Sequence, residues 1–171
     1  TLDRALAAAR DCDDRRLVDG VRASAPEAAL WGPRQVTRAS GRCLDVVRVL
    51  RITGGAPAVE AVALRCQAVL EALRGRPDAA RTMVAAARRT FEELGLAPHL
   101  LETDIAAGHI ELAHAHPAEA EAHLRPALES LRERGLDGET ARAAALLGRA
   151  LLAQGRVDEA EAVGEEAARL A

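Results

Sequence analysis

The chain has 171 residues, 26 carboxylates against 23 basic side chains for a formal net charge of −3, and 49% hydrophobic residues that include one Trp, one Phe and no Tyr. That length supports a sizeable core, and the slightly acidic balance gives no basic field to attract a phosphate backbone, so no nucleic acid is expected as a partner of this segment. No apolar run approaches the roughly 20 residues needed to span a bilayer, so a soluble protein without membrane insertion is expected.

With so few rings, Ala and Leu must do the packing, which draws helices close together. Every basic residue is Arg, and neither Lys nor Asn occurs, a usage that fits a GC-rich genome better than selection for guanidinium chemistry. Cys12, Cys43 and Cys66 are odd in number, far apart and without a Cys-x-x-Cys pair. They read as small buried hydrophobes in a reducing cytoplasm.

In chain order, Leu2, Leu6 and Ala9 share a helical face and the segment Asp11 to Asp14 breaks it, so residues 2–11 read as the second helix of a unit whose first half is missing. The next helix is expected from about Asp14 to Trp31. It should kink or break near Ser24 and Ala25, because Pro26 removes a backbone hydrogen bond and clashes with the preceding turn at roughly 3 kcal/mol. Trp31-Gly32-Pro33 closes that helix and opens another, since Pro suits the first helical turn. The same device recurs at Pro57, Pro77, Pro98 and Pro117. Val36, Cys43, Val46, Val47 and Leu50 carry the helix to Ile52, and Thr53-Gly54-Gly55 ends it.

Val59, Val62, Ala63, Cys66, Val69, Leu70 and Leu73 then mark one helix, Gly75-Arg76-Pro77 a turn, and Ala80, Val84, Ala87, Phe91 and Leu94 the apolar stripe of a second. A third hairpin runs from Pro98 to about Arg134, with a kink expected at Pro126. After the link at Gly135 to Gly138 a fourth completes the chain. The order is a repeat: Gly148, Leu151, Gly155 and Ala160 fall, forty residues back, on Gly108, Glu111, Ala115 and Ala120, and forty further on Ala68, Glu71, Gly75 and Ala80. Small residues at Gly148 and Ala160, and at their equivalents, should lie where two helices cross. Nine helices and no strand are expected.

His109, His114, His116 and His123 cluster within one hairpin, yet no two stand at i and i+4 and no Cys is near, so solvated loop positions are a better reading than a metal site. Glu92, Glu93, Glu119, Glu121, Glu165 and Glu166 read as outer-face carboxylates rather than a facing acid–base pair. Ser24, Ser40 and Ser130 lack a nucleophile-elbow setting. Gly54-Gly55 lacks the tail of a phosphate loop. No catalytic residue, cofactor or metal follows from this sequence, and the chain reads as a non-enzyme.

Leu-Gly in the first helix, Gly at the turn and Ala early in the second make the unit resemble the tetratricopeptide repeat, whose basic length is about 34 residues. More specifically, Leu30-Trp-Gly-Pro33, Arg42-Cys43, the segment Leu70 to Arg81 and Glu93-Leu-Gly95 resemble the helical arm of bacterial multidomain signal-transduction ATPases, some linked to adenylate cyclases and some to LuxR-type DNA-binding domains. The resemblance implies an all-α, right-handed superhelix of antiparallel helix pairs, excised from a longer protein, with units at about 1–12 (partial), 14–52, 57–95, 97–135 and 138–171. It implies a cytoplasmic interaction scaffold or sensor arm of a signalling or transcription-regulatory protein. The alternative is a structural self-association arm without a separate ligand, stacking through uncapped ends around Leu2 and Leu6 and around Val163 and Leu170.

In such arrays the first helix of each pair lines the concave face. With unit starts at Ala61, Leu101 and Ala141, the resemblance places Arg65, Val69, Glu102, Ile105, His109, Arg142, Ala145 and Arg149 there. The groove would be mixed in character, and Arg65 and Arg149 would meet an acidic or phosphorylated protein or peptide partner in bidentate fashion.

Overall fold

The computed structural model describes residues 4, 7, 8, 11, 12, 15–33, 35–53 and 57–171. Among them lie eight helices and no strand: α1 Arg15–Leu30, α2 Val36–Thr53, α3 Pro57–Leu73, α4 Pro77–Glu93, α5 Ala97–Ala113, α6 Pro117–Glu133, α7 Asp137–Ala153 and α8 Val157–Leu170. The helix expected over residues 2–11 falls largely outside the described residues, Leu2, Leu6 and Ala9 included.

From α3 onward the chain is more regular than its forty-residue period, for helices begin at 57, 77, 97, 117, 137 and 157, each after a three-residue link. Each of the five links between residues 74 and 156 has its middle residue at positive φ: Gly75 (76°), Gly95 (66°), Ala115 (59°), Gly135 (66°) and Gly155 (77°). The amide after it reaches back five residues to a carbonyl of the finished helix, Arg76 to Glu71, Leu96 to Phe91, His116 to Glu111, Leu136 to Leu131 and Arg156 to Leu151. Orphan carbonyls at each helix end are thereby satisfied. Ala115 makes the same turn with a Cβ, in a conformation that disfavours L side chains.

Pro57, Pro77 and Pro117 open their helices and Pro98 is the second residue of α5, as expected. Pro33 does not open one. The first bonds of α2 run from Arg38 and Ala39 to the Gln35 carbonyl, which leaves residues 31–33 in a bend. Nor does Pro26 break α1 or Pro126 break α6, since each helix runs through its proline. Ala25 and Ala29 are buried around the first, and Leu124, Ala127, Leu128 and Leu131 around the second. Tertiary packing of these faces outweighs the lost hydrogen bond.

Helices α1, α3, α5 and α7 touch in succession as an inner row, whereas among the described residues the backbones of the outer helices α2, α4, α6 and α8 come close only to inner ones. Rows of unequal closeness curve toward the closer one, giving a helical-repeat solenoid of antiparallel pairs whose concave side is the inner row. The core is correspondingly drawn out along the array. Cys43, Cys66, Leu70 and Phe91 fill it at one end, Ala68, Ala80 and Ile110 in the middle, and Leu124, Leu128, Leu131, Leu147 and Leu151 further on.

Cys43 and Cys66 are buried as expected, but Cys12 is exposed. Burial pushes the Cys43 thiol up to about 12 and raises that of Cys66 as well, so neither is a reactive thiolate.

The crossings of small residues also appear. A Cβ on Gly148 would stand 3.4 Å from the Ala160 carbonyl oxygen. At Gly108 the neighbour is different, because Leu124 fills the place a side chain would take, with Cδ2 2.8 Å from that Cβ position. Among the described residues no helix is long and apolar enough to cross a membrane.

Candidate protein interaction site

Five of the six principal concave-face residues come together. Arg65, Val69, Glu102, His109 and Arg142 line one hollow with Glu27, Trp31, Ile105 and Ala106, and Arg149 lies outside it. Arg149 and Ala145 belong instead to a second groove, between α7 and α8.

The hollow is small, with a volume of about 30 Å³, room for about one water molecule. Arg65 is the cause. Its side chain is buried, and Nη2 donates to Glu27 Oε1 at 2.8 Å while pairing with Glu102 on the other side. Nη1 reaches the His99 carbonyl at 3.4 Å, and the guanidinium stands 5.7 Å from the centre of the Phe91 ring, itself stacked on His99. The guanidinium expected to meet an acidic partner is therefore held by the protein's own carboxylates. Removing it would strand buried charge rather than delete a binding contact. An Arg65→Ala, Arg149→Ala pair thus tests folding as much as recognition.

What the hollow presents to solvent is Trp31, 54% exposed. It follows α1 at the first end of the array, yet its ring stacks on His109 of α5, centroids 6.1 Å apart at 10°. The guanidinium of Arg142, from α7, sits 5.7 Å from the same ring. Curvature of the inner row thus brings the two ends together across one aromatic side chain, in a cation–π arrangement. Burial, then Arg149 and Arg142, lower the pKa of His109, so it stacks as a neutral imidazole at pH 7. Arg142 Nε is buried without a hydrogen-bond partner.

Three carboxylates tie neighbouring helices and links together, Glu71 and Glu111 from buried positions. Glu71 accepts from Gln67, Arg74, Arg76 and the Ser40 hydroxyl. Glu111 accepts a two-pronged bond from Arg81 and contacts His116 at 3.0 Å. Hydrogen bonding from Arg81 outweighs burial and holds the Glu111 carboxyl at about 2. Glu121 was expected on an outer face, but it joins α6 to the link after α7, accepting from Arg125, Gln154 and Arg156. Burial alone would raise its pKa, and those three donors together bring it to about 2. Glu166, expected likewise outside, is bound by Arg132 across two helices.

The histidines expected in solvated loops are dispersed. His114 and His116 flank Ala115 in a link, whereas His109 and His123 lie within helices. Among the described residues no three His, Cys, Asp or Glu side chains gather as a metal site.

The sequence missed Glu27 and Trp31 as parts of this hollow, and Phe91 and His99 as contacts of Arg65. Rarity was the available signal, for Trp31 is the sole Trp of the chain and Phe91 the sole Phe. Compared with protein-family models and with curated proteins, the sequence matches none.

Proposed function

We propose that this chain is a protein-interaction scaffold, a tetratricopeptide-like arm of a bacterial signalling or transcription-regulatory protein, whose partner engages the concave side at Trp31. One observation carries the reading: a half-exposed Trp clamped between His109 and Arg142, with a buried Arg nitrogen still unpaired. Trp and Arg are the residues that most often anchor interfaces, and a rigidly held ring loses little entropy on binding. The partner is a peptide segment lying over the rim, since the hollow beneath has no room for more than a water molecule.

Trp31 is the sole tryptophan, so its fluorescence reports on this surface alone. Peptides selected from a displayed library should shift or quench that emission on binding, and should lose affinity roughly tenfold with Arg142→Ala. Binders that leave the emission unchanged and ignore Arg142→Ala would place recognition elsewhere.

The second reading, a self-association arm, draws on Leu152 and Val157, more than half exposed on the last hairpin. Sedimentation over a range of concentrations separates the two, because only the second predicts growth with concentration.

A further inference from the structure

The concave rim carries positive charge that the protein does not match. Elsewhere along the array guanidiniums are held by the chain's own carboxylates: Arg65 by Glu27 and Glu102, Arg81 by Glu111, Arg88 by Asp104, Arg132 by Glu166 and Arg156 by Glu121. Among the described residues neither Arg142 nor Arg149 has such a partner. They stand seven residues apart in α7, and that spacing puts both on one helix face.

The surroundings of Arg142 show what it lacks. Its guanidinium lies against the Trp31 ring, and its Nε is buried with no acceptor. An unmet buried donor is costly. A guanidinium stacked on a ring keeps N–H donors in its own plane, where a carboxylate or phosphate can take two of them, Nε–H included.

No charge nearby competes for that place. Arg65, Glu27 and Glu102, the other charged groups of the hollow, are taken up with one another. His109, stacked on the far side of the site, has its pKa lowered by burial and then by Arg149 and Arg142, and no carboxylate raises it. A basic segment would meet two guanidiniums here, and an uncharged one would leave Nε unmet. The hollow's inner helices α3, α5 and α7 are all in place, so the rim belongs to the interior of the array.

We propose that the partner segment at Trp31 presents an oxyanion, a side-chain carboxylate or a phosphate on Ser or Thr, which Arg142 takes in bidentate fashion within the field of Arg149. The proposal rests on the reading of Trp31 as the contact surface and adds the chemistry that this surface accepts.

The probes are three pools of mixed-sequence heptapeptides without Trp, Asp or Glu at the variable positions, with Glu, phosphoserine or Gln fixed at the centre. Titrated into the whole chain and followed by Trp31 emission, the Glu and phosphoserine pools should bind roughly tenfold more tightly than the Gln pool, and less so as salt is raised. Tighter binding of phosphoserine than of Glu would identify phosphate as the source, and equal binding the carboxylate. Arg142→Gln should bring the Glu and Gln pools level, whereas Arg149→Gln should reduce the gap only in part. The His109 pKa, read from its ring protons, should rise when the Glu pool is bound, since an anion offsets both guanidiniums. A Gln pool that binds as tightly as the Glu pool while changing the emission would overturn the oxyanion and leave Trp31 as the contact surface. Emission unmoved by any pool would overturn both.

Discussion

Gly108 and Gly148 occupy the same place in successive hairpins and meet opposite surroundings. Against Gly108 lies the side chain of Leu124, and the crossing is closed core. Against Gly148 the corresponding residue is Gly164, and the crossing opens into a groove. A repeat therefore fixes where helices cross but not whether the space between them is filled. At Gly108 a side chain of the second helix fills that space, and at Gly148 none does.

The largest expected effect comes from breaking the closed crossing. Leu124→Ala removes a fully buried side chain from the cluster between α5, α6 and α7, which should cost about 2 to 5 kcal/mol in denaturant unfolding. Because Gly164 is already bare, a comparable loss has no counterpart in α8.

Acid should come next. Glu111 and Glu121 have folded pKa values near 2, below the ordinary 4.5, so the unfolded chain binds protons first as pH falls. Their stabilisation is fully present above about pH 4.5 and is lost as pH drops toward 2. With exposed Arg partners screening each pair, the loss should be about 1 to 2 kcal/mol per carboxylate. Melting between pH 5 and pH 2 reads it: Glu121→Gln should flatten the dependence, and Glu161→Gln, which breaks no link, should leave it unchanged.

A smaller effect sharpens the comparison of links. Ala115 alone lacks the glycine of its four counterparts, so Ala115→Gly should relieve backbone strain and stabilise by about 0.5 to 1 kcal/mol, the unfolded-state entropy of Gly offsetting part of the gain. A loss of stability would show that the link tolerates the Cβ at no cost.

Much of the fold was legible because its determinants are local. Small residues at 68, 108 and 148 and the glycines at 75 and 155 mark crossings and turns within one unit, and helical hydrogen bonds span four residues. The twenty-residue spacing of the links was obscured because Ala115 stands where the others have Gly. The break expected at Pro26 does not occur, for the opposite reason: burial of its flanking turns depends on helices distant in sequence. The concave face was legible as a set of positions, yet not in character. Arg65 reads as a free cation until Glu27 and Glu102, 38 and 37 residues away, are seen to hold it. Nor does spacing along α1 reveal that Trp31 crosses the array to His109 and Arg142.

Urea unfolding of Gly108→Ala and Gly164→Ala, side by side, tests the central claim most directly. Both substitutions improve intrinsic helix propensity by about 1 kcal/mol. At 164 that gain should appear nearly whole, since the new Cβ meets nothing. At 108 the methyl would collide with Leu124, and overpacking of about 1 to 3 kcal/mol should reverse the sign. Opposite signs are predicted; stabilisation by both substitutions, or destabilisation by both, would contradict the account of one groove filled and the next left open.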